Sequence, residues 1–394
     1  MDMLLQAEKN LKLLNILAFL YSFRTFEGVL VIFFVTITNS YATGMTVFAI
    51  MHATSSLMEV PTGILSDHIG RKKTIILYML TNFLAVLLYS LADSTIYLVL
   101  GAILVGLSIS LGSGTISAFV YENLEVSGKT NLYKKFEGKR RAQGMYSLVV
   151  AGLIGTLIIY FYDIRATLLA AAVIMFIGLV LSLLLTDLKK FKPNKSNIYY
   201  NLKTALKEFK SNTSLRDLSL GKMFSRGVGN AEYRFRSLFF SSLMPDWLVS
   251  LIITFGSFIT GLIMHANHFI VEKIGIKKSL VHLNIFEKIS VSVLAVIYTP
   301  IAAFFMDIIT SISYGVREIA TEDLLQAKYT KEQRATMGSL VGLGGSIIYV
   351  IIAYLTGLIA DKIGLLNTII LLQAVFFIAI YFFWRGLENK TRII

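Results

Sequence analysis

The residues most able to do chemistry in this chain lie inside an apolar segment, residues 218–240. Four basic side chains occur there with one acid and one tyrosine, namely Lys222, Arg226, Glu232, Tyr233, Arg234 and Arg236. At 100° per residue, all of these except Glu232 and Arg234 fall on one helical face about 80° wide. Because a guanidinium can bind a carboxylate or phosphate through two hydrogen bonds, this face predicts a site for an anionic group. Its predicted contacts are Arg226, Tyr233 and Arg236.

Carboxylates in apolar segments are candidates for carrying a proton. An ionisable side chain at the centre of a bilayer costs about 2.5–3.5 kcal/mol, so it usually faces a cavity or a charged partner. We predict proton coupling at Glu27, Glu232 and Asp307, and further substrate contacts at Arg24, Ser311 and Tyr314. Two structural alternatives stay open: a static ion pair between Arg24 and Glu27, and hydrogen bonding between helices by the stripe that starts at Asp307. Glu232 is also spaced to bond Arg236 four residues later.

The composition indicates that these residues sit in a membrane protein. Of 394 residues, 55% are hydrophobic and only 15% are charged, against roughly 25% charged residues in soluble proteins. The formal net charge is +13, which basic loops on one side of a membrane account for without nucleic acid. The sequence contains no cysteine, so disulfides and thiolate metal sites are excluded. We expect no metal and no cofactor.

A membrane-spanning helix needs about 20 apolar residues, and we predict twelve such spans. Their approximate cores are 11–36, 43–65, 74–91, 95–121, 142–162, 166–186, 218–240, 246–271, 279–297, 299–325, 335–360 and 366–388. With the N-terminus inside, nearly all loop Lys and Arg face the cytoplasm, and only Arg165 and Lys362 lie outside. We therefore expect both termini in the cytoplasm and an all-α membrane fold in the cytoplasmic (inner) membrane.

A hydrophilic stretch divides the spans into two groups of six. We predict an N-terminal bundle over 1–187, a cytoplasmic linker over 188–217 and a C-terminal bundle over 218–394. Residues 199–210 of the linker have a helical apolar pattern, which favours an amphipathic helix at the membrane surface. A solvated, disordered linker is the alternative.

Two loops repeat at an offset of 205 residues. The loop after span 2 pairs Asp67, Gly70 and Lys72-Lys73 with Glu272, Gly275 and Lys277-Lys278 of the loop after span 8. Such a repeat is typical of a duplicated transporter. Glu59-Val-Pro-Thr-Gly63 and the loop that follows it resemble the signature loop of the major facilitator superfamily, and the resemblance extends over the twelve spans.

The resemblance implies a secondary transporter that works by alternating access, most similar to bacterial drug and metabolite exporters. It also implies gating positions where the loops meet the bundles. These are Gly63, Asp67, Gly70, Arg71, Glu122 and Arg334, with Asp67 and Arg71 as a latch and Lys72-Lys73 setting topology. For Glu122, a simple carboxylate at the membrane interface is an equal alternative.

No motif for catalysis or ATP binding is present in the sequence, so the chain is predicted not to be an enzyme. We expect a proton-coupled exporter of a small anionic or amphipathic organic solute, acting as a monomer among membrane lipids. Proton-coupled uptake of an anionic nutrient or siderophore is the alternative. A lipid flippase or a membrane sensor on the same scaffold is the alternative of another class.

Overall fold

A computed structural model describes residues 2–188, 209, 211–329 and 334–388. Within these residues every regular element is a helix. The helices are α1 (Asp2–Ser22), α2 (Leu30–Thr38), α3 (Tyr41–Ile69), α4 (Arg71–Ser90), α5 (Thr95–Gly112), α6 (Thr115–Val126), α7 (Tyr133–Phe161), α8 (Ile164–Ser182), α9 (Thr213–Ser241), α10 (Asp246–Ile274), α11 (Leu283–Ile297), α12 (Pro300–Lys328) and α13 (Arg334–Glu388). A 3₁₀ turn at Thr130–Leu132 precedes α7, and a π-helical turn at Lys278–His282 precedes α11.

The predicted spans and the helices do not correspond one to one. Span 1 is divided between α1 and α2, and span 4 between α5 and α6, whereas α13 contains spans 11 and 12 on either side of Gly364 at φ +81°. Seven helical segments of the described residues are long and apolar enough to cross a membrane, and one of them holds both spans of α13. The protein is thus a multi-pass membrane protein, and twelve crossings remain a prediction. The predicted amphipathic helix at 199–210 lies almost wholly outside the described residues.

The helices group into two compact units. Unit 1 comprises residues 1–39, 50–194 and 246–254, and unit 2 comprises 40–49, 195–245 and 255–394. The two helices shared between units are α3 and α10. Both have 29 residues, and α10 begins and ends 205 positions after α3. The glycines that follow them also match, with φ +94° at Gly70 and +82° at Gly275.

Small residues set the helix spacing in unit 1. A methyl group at Gly101 or Gly112 would collide with the rings of Tyr89 or Tyr78, so both glycines let α5 lie close against α4. Such close approach is the usual means of association between helices in lipid. The core beside it is a cluster of apolar side chains from α1, α4, α5 and α6, with Leu185 after α8.

Unit 2 is built around α9, which packs along α13. Gly221 faces the ring of Phe383, and Gly227 faces Ile348 and the backbone of Tyr349. Glycines within a membrane-spanning helix can allow it to bend or unwind. Instead, α9 runs unbroken over 29 residues, because its glycines are used for packing against α13.

Candidate functional site

The interruption of span 1 carries a charged pair. The helix ends at Ser22 and resumes at Leu30, and the segment between them contains Arg24 and Glu27. Their side chains form an ion pair, with Nη1 of Arg24 3.6 Å from Oε2 of Glu27, and they are 26% and 15% exposed. The Arg24 guanidinium lies over the Tyr21 ring at 4.9 Å. Interrupted helices at transport sites place polar backbone and charge beside solute, so this segment can take that role.

Packing within unit 1 holds the interruption in place. The hydroxyl of Thr25 donates to the backbone carbonyl of Thr167 at 2.6 Å. The carbonyl of Thr25 itself contacts Gly155 of α7, where a methyl group would collide with it. The glycine at 155 is therefore required by a close backbone approach. Contacts within unit 1 therefore hold the break between α1 and α2 in place. The hydrophobic pattern of span 1 did not predict this break.

Three of the predicted gating residues meet at one end of unit 1. Arg71 lies 3.1 Å from Asp67 and 3.5 Å from Glu122, measured between guanidinium nitrogens and carboxylate oxygens. Arg71 also donates to the hydroxyl of Ser66 at 2.7 Å. The positive φ of Gly70 turns the chain from α3 into α4, which brings Asp67 and Arg71 onto the same side. One guanidinium thus joins the end of α3 to α6.

The remaining gating candidates stand apart from this cluster. Gly63 has open space around the position of a side chain, so close packing does not require a glycine there. Arg334 is exposed at the start of α13. An additional residue, Asp187, accepts a hydrogen bond from the backbone N–H of Lys72 at 3.0 Å and so caps α4. In the sequence, the only sign of this capping role is that Asp187 comes just after an apolar span.

The basic residues of α9 differ in their partners. Lys222 lies 2.8 Å from Glu318, and Arg236 lies 3.0 Å from Asp307. Arg234 stacks over the rings of Phe48 and Tyr233, at 4.7 and 5.3 Å. Arg226 is exposed, and within the described part of the chain no carboxylate forms an ion pair with it.

The surroundings of Arg226 are mostly apolar and small. Its aliphatic stem packs against Gly345 of α13, with Cδ 3.1 Å from the position of a methyl group there, and its Nη1 lies near Gly342. The two glycines leave room for the long side chain to extend. On the neighbouring helix α12, Tyr314 is 38% exposed. An accessible guanidinium on this face can bind the anionic group of a ligand.

Three of the other substrate and proton candidates on α9 and α12 are buried, whereas Tyr233 is half-buried. Arg236, Asp307 and Ser311 are each at most 5% exposed. Gly256 of α10 lies directly against Asp307 and Ser311, and this contact seals them from that side. The ion pair predicted between Glu232 and Arg236 is wrong, because each of these residues pairs with a different helix.

Glu232 belongs to a buried network that links four helices. Lys288 of α11 donates to Glu232 and to Glu287, both at 2.7 Å. The second oxygen of Glu287 accepts from Ser313 at 2.7 Å and from Arg317 at 3.2 Å, and Arg317 also bonds Asn284. The ring of Phe376 in α13 lies 4.1 Å from the Lys288 ammonium. Two acids thus balance two bases.

This network was only partly foreseen from the sequence. The sequence places Glu287 next to Lys288, which favours a structural pair, but its spacing does not link them to Arg317 and Asn284. The four charged side chains of the network are at most 4% exposed, so none is open to solvent. Among the described residues, no group of three histidine or carboxylate side chains is arranged to hold a metal ion.

The described residues form a multi-pass helical membrane protein. Unit 2 contains buried ion pairs, and unit 1 contains interrupted helices. This is the architecture of a solute carrier. Residues 13–320 match the Major Facilitator Superfamily, and the chain belongs to that family. The protein is accordingly a transporter and not an enzyme. No curated protein sequence matches the chain.

Solved structures with the same fold cover nearly the whole chain at low sequence identity. A mutant form of the nucleoside transporter NupG is 15% identical with a TM-score of 0.79, covering 96% of this chain and 99% of its own. The POT family transporter PepTSo is 11% identical with a TM-score of 0.74, covering 99% and 98%. A bacterial homologue of the human lysosomal transporter Spinster is 16% identical with a TM-score of 0.72, covering 98% and 97%. These similarities define the fold.

Proposed function

We propose that this protein is a proton-coupled secondary active transporter that exports a small anionic or amphipathic organic solute by alternating access. It acts as a monomer in the cytoplasmic membrane, with both termini in the cytoplasm. The orientation rests on the distribution of lysine and arginine among the loops. The solute class rests on the residues of α9.

The observation that best supports an anionic solute is the accessible guanidinium of Arg226. Of the basic residues on α9 described above, Lys222 and Arg236 have carboxylate partners and Arg234 has aromatic ones. Arg226 has no carboxylate partner among the described residues and is exposed. A charged side chain within a membrane span usually faces a partner or a water-filled cavity, and an exposed guanidinium there is open to an anionic ligand. A carboxylate or phosphate can bind both of its terminal nitrogens.

Aromatic neighbours favour a solute with an apolar part. Tyr314 of α12 is partly exposed, and Tyr233 lies on the same face of α9 as Arg226, about two turns further along the helix. Such rings can stack on an organic group while the guanidinium binds the anion. Solved structures with this fold include the nucleoside transporter NupG and a POT family peptide transporter, as their names state. This supports a small organic solute of that size range.

Proton coupling is proposed at the carboxylates within the spans. Glu27 lies in the interrupted part of span 1, and its side chain is 15% exposed, so it is the most accessible of the three candidates. Glu232 and Asp307 are buried against cations, and each would need its ion pair to open before it could exchange a proton. The order of proton exchange we propose is therefore Glu27 first, with Glu232 and Asp307 acting in a second conformation.

The test is flux into and out of proteoliposomes under an imposed pH gradient. Carboxylate- and phosphate-bearing organic solutes are each assayed beside the neutral amide or ester of the same skeleton. The proposal expects transport of a charged member, faster when protons move in the opposite direction. Faster flux in the same direction as the protons would instead identify the importer. Equal flux of charged and neutral analogues would refute the anionic solute.

A further inference from the structure

A cleft of about 730 Å³ opens where α10 ends and α11 begins, remote in sequence from the candidate solute contacts. Its walls are apolar and include Ile276, Val281, Ile285 and Trp384. Trp384 near the end of α13 is 40% exposed, which suits the amphipathic zone of a membrane surface where tryptophan is enriched. The apolar wall can contact the part of an acyl chain that lies next to a lipid headgroup.

Basic side chains line the rim of the same cleft. Lys277, Lys278 and His282 are all exposed lining residues. Lys278 and His282 begin and end the π-helical turn, a geometry that often marks functional sites. Glu388 of α13 forms an ion pair with this rim, 3.3 Å from Lys277. The described residues that line the cleft include two lysines and no carboxylate.

The internal repeat shows how this cleft differs from its counterpart. Lys277 and Lys278 correspond to Lys72 and Lys73, and both loops keep a glycine at positive φ. In the first loop the next residue is Arg71, which is bound to Asp67 and Glu122. In the second loop that position is Ile276, which lines the cleft. The second loop has therefore replaced the arginine of the latch with an apolar wall.

We propose that this cleft binds one anionic phospholipid of the cytoplasmic leaflet. Its phosphate lies against Lys277, Lys278 and His282, and its acyl chain lies along Ile276, Ile285 and Trp384. Basic pockets at the cytoplasmic ends of membrane helices are known to take anionic headgroups. A free phosphate ion would use only the rim, whereas the apolar wall requires a lipid. The side of the membrane rests on the orientation proposed above, but the binding itself does not depend on what the protein transports.

The experiment measures lipid binding to the purified full-length protein in detergent. Native mass spectrometry counts bound phosphatidylglycerol and phosphatidylcholine with matched acyl chains, over a range of lipid concentrations. The test variant is Lys277→Gln with Lys278→Gln. The matched control is Lys72→Gln with Lys73→Gln, which removes the same two charges from the first loop. Thermal unfolding of every variant establishes that the protein is folded.

The wild-type protein and the control should bind one phosphatidylglycerol more tightly than phosphatidylcholine. A lysine near an anionic lipid contributes roughly fivefold in affinity, so the double variant should lose about thirtyfold. Glu388→Gln should have the opposite effect and strengthen phosphatidylglycerol binding. Trp384→Ala should weaken both lipids while keeping the preference for the anionic one.

Three results would overturn the proposal. Equal loss in the double variant and its control would mean that binding reflects net charge only. Displacement of phosphatidylglycerol by millimolar inorganic phosphate would identify a site for a free anion. No preference for phosphatidylglycerol in the wild-type protein would exclude an anionic lipid. None of these measurements involves solute flux, so the transport proposal stands or fails separately.

Discussion

Arg236 of α9 and Asp307 of α12 form a buried ion pair, with Nη2 of Arg236 3.0 Å from Oδ1 of Asp307 and side chains 4% and 1% exposed. Because Asp307 is occupied in this way, it does not neutralise Arg226, the pairing that would have given Arg226 a static structural role. The contact therefore bears on the roles of both Arg236 and Arg226. It makes Arg236 a residue that holds α9 to α12, and it leaves Arg226 accessible.

Removing one member of this pair should destabilise the protein. Asp307→Ala leaves the Arg236 charge buried without a partner, which costs about 3–5 kcal/mol. Arg236→Leu combined with Asp307→Leu removes both charges and should recover most of that loss. Thermal unfolding in detergent measures both, with Asp323→Ala, an exposed acid on the same helix, as control. A single variant as stable as the wild-type protein would show that the pair is not structural.

The network around Lys288 should respond in the same manner. Lys288→Met leaves Glu232 and Glu287 without the ammonium that both contact at 2.7 Å, so a loss of about 3–5 kcal/mol is expected. Glu232→Gln in the same chain removes the excess charge, while Glu287 keeps its contact with Arg317. The double variant should therefore be more stable than Lys288→Met alone. If it is less stable, the network is not held by charge balance.

Asp67 should affect the rate of transport more than the affinity. Asp67 and Glu122 both contact Arg71 at one end of unit 1. Neither contact involves a residue that is proposed to bind solute. Asp67→Asn weakens the hold on Arg71 and should slow turnover several-fold with KM nearly unchanged. Glu272→Gln, at the corresponding position of the second loop, is the matched control and should have a smaller effect. A raised KM with normal turnover would contradict a latch.

Asp361 of α13 should hold the first turn of α3, because both belong to unit 2. Its carboxylate accepts from the backbone N–H groups of Tyr41 and Ala42 at 2.8 and 3.0 Å and from the hydroxyl of Ser40 at 2.9 Å. Losing a cap of this kind costs about 0.5–2 kcal/mol, and the negative charge at a helix N-terminus adds to it. Asp361→Ala should therefore speed amide hydrogen exchange in residues 40–49 by roughly two- to thirtyfold.

A matched control for that measurement lies in unit 1. Asp163 caps α8 through the N–H of Ala166 at 2.8 Å, so Asp163→Ala should speed exchange at the start of α8 and leave residues 40–49 unchanged. Unchanged exchange there in the Asp361 variant would show that the capping contact does not stabilise α3.

Local patterns predicted much of this fold because lipid imposes simple rules on a helix. Apolar length placed most helices, and the repeat at offset 205 anticipated α3 and α10, which match in length and in the glycine that ends each. The break between Ser22 and Leu30 was not predictable in the same way. It depends on Thr25 meeting Gly155 and the carbonyl of Thr167, which are distant in sequence.

The site was predicted less completely than the fold because charge pairing depends on which helices are neighbours. The family resemblance placed Asp67 and Arg71 together, and the structure has this contact between residues four positions apart. The same spacing paired Glu232 with Arg236 wrongly, because a lysine on α11 and an aspartate on α12 lie closer to them. A single sequence carries no information on that choice. No acid on α9 is spaced to neutralise Arg226, since Glu232 lies six residues away, and no described carboxylate on another helix pairs with it.

The central claim is that Arg226 binds the anionic group of the solute, and the affinity of its variants tests this most directly. The measurement is equilibrium binding of the charged solute identified by flux, and of its neutral analogue. The proteins compared are the wild type, Arg226→Ala and Arg226→Lys. Arg216→Ala, on the same helix, is the control. One lost charge-assisted contact is worth roughly 1.5–3 kcal/mol, so Arg226→Ala should weaken the charged solute about ten- to a hundredfold and leave the neutral analogue unchanged. Arg226→Lys should also bind more weakly, because lysine cannot bind an oxyanion with two parallel bonds. Wild-type affinity for the charged solute in a folded Arg226→Ala protein would contradict the account.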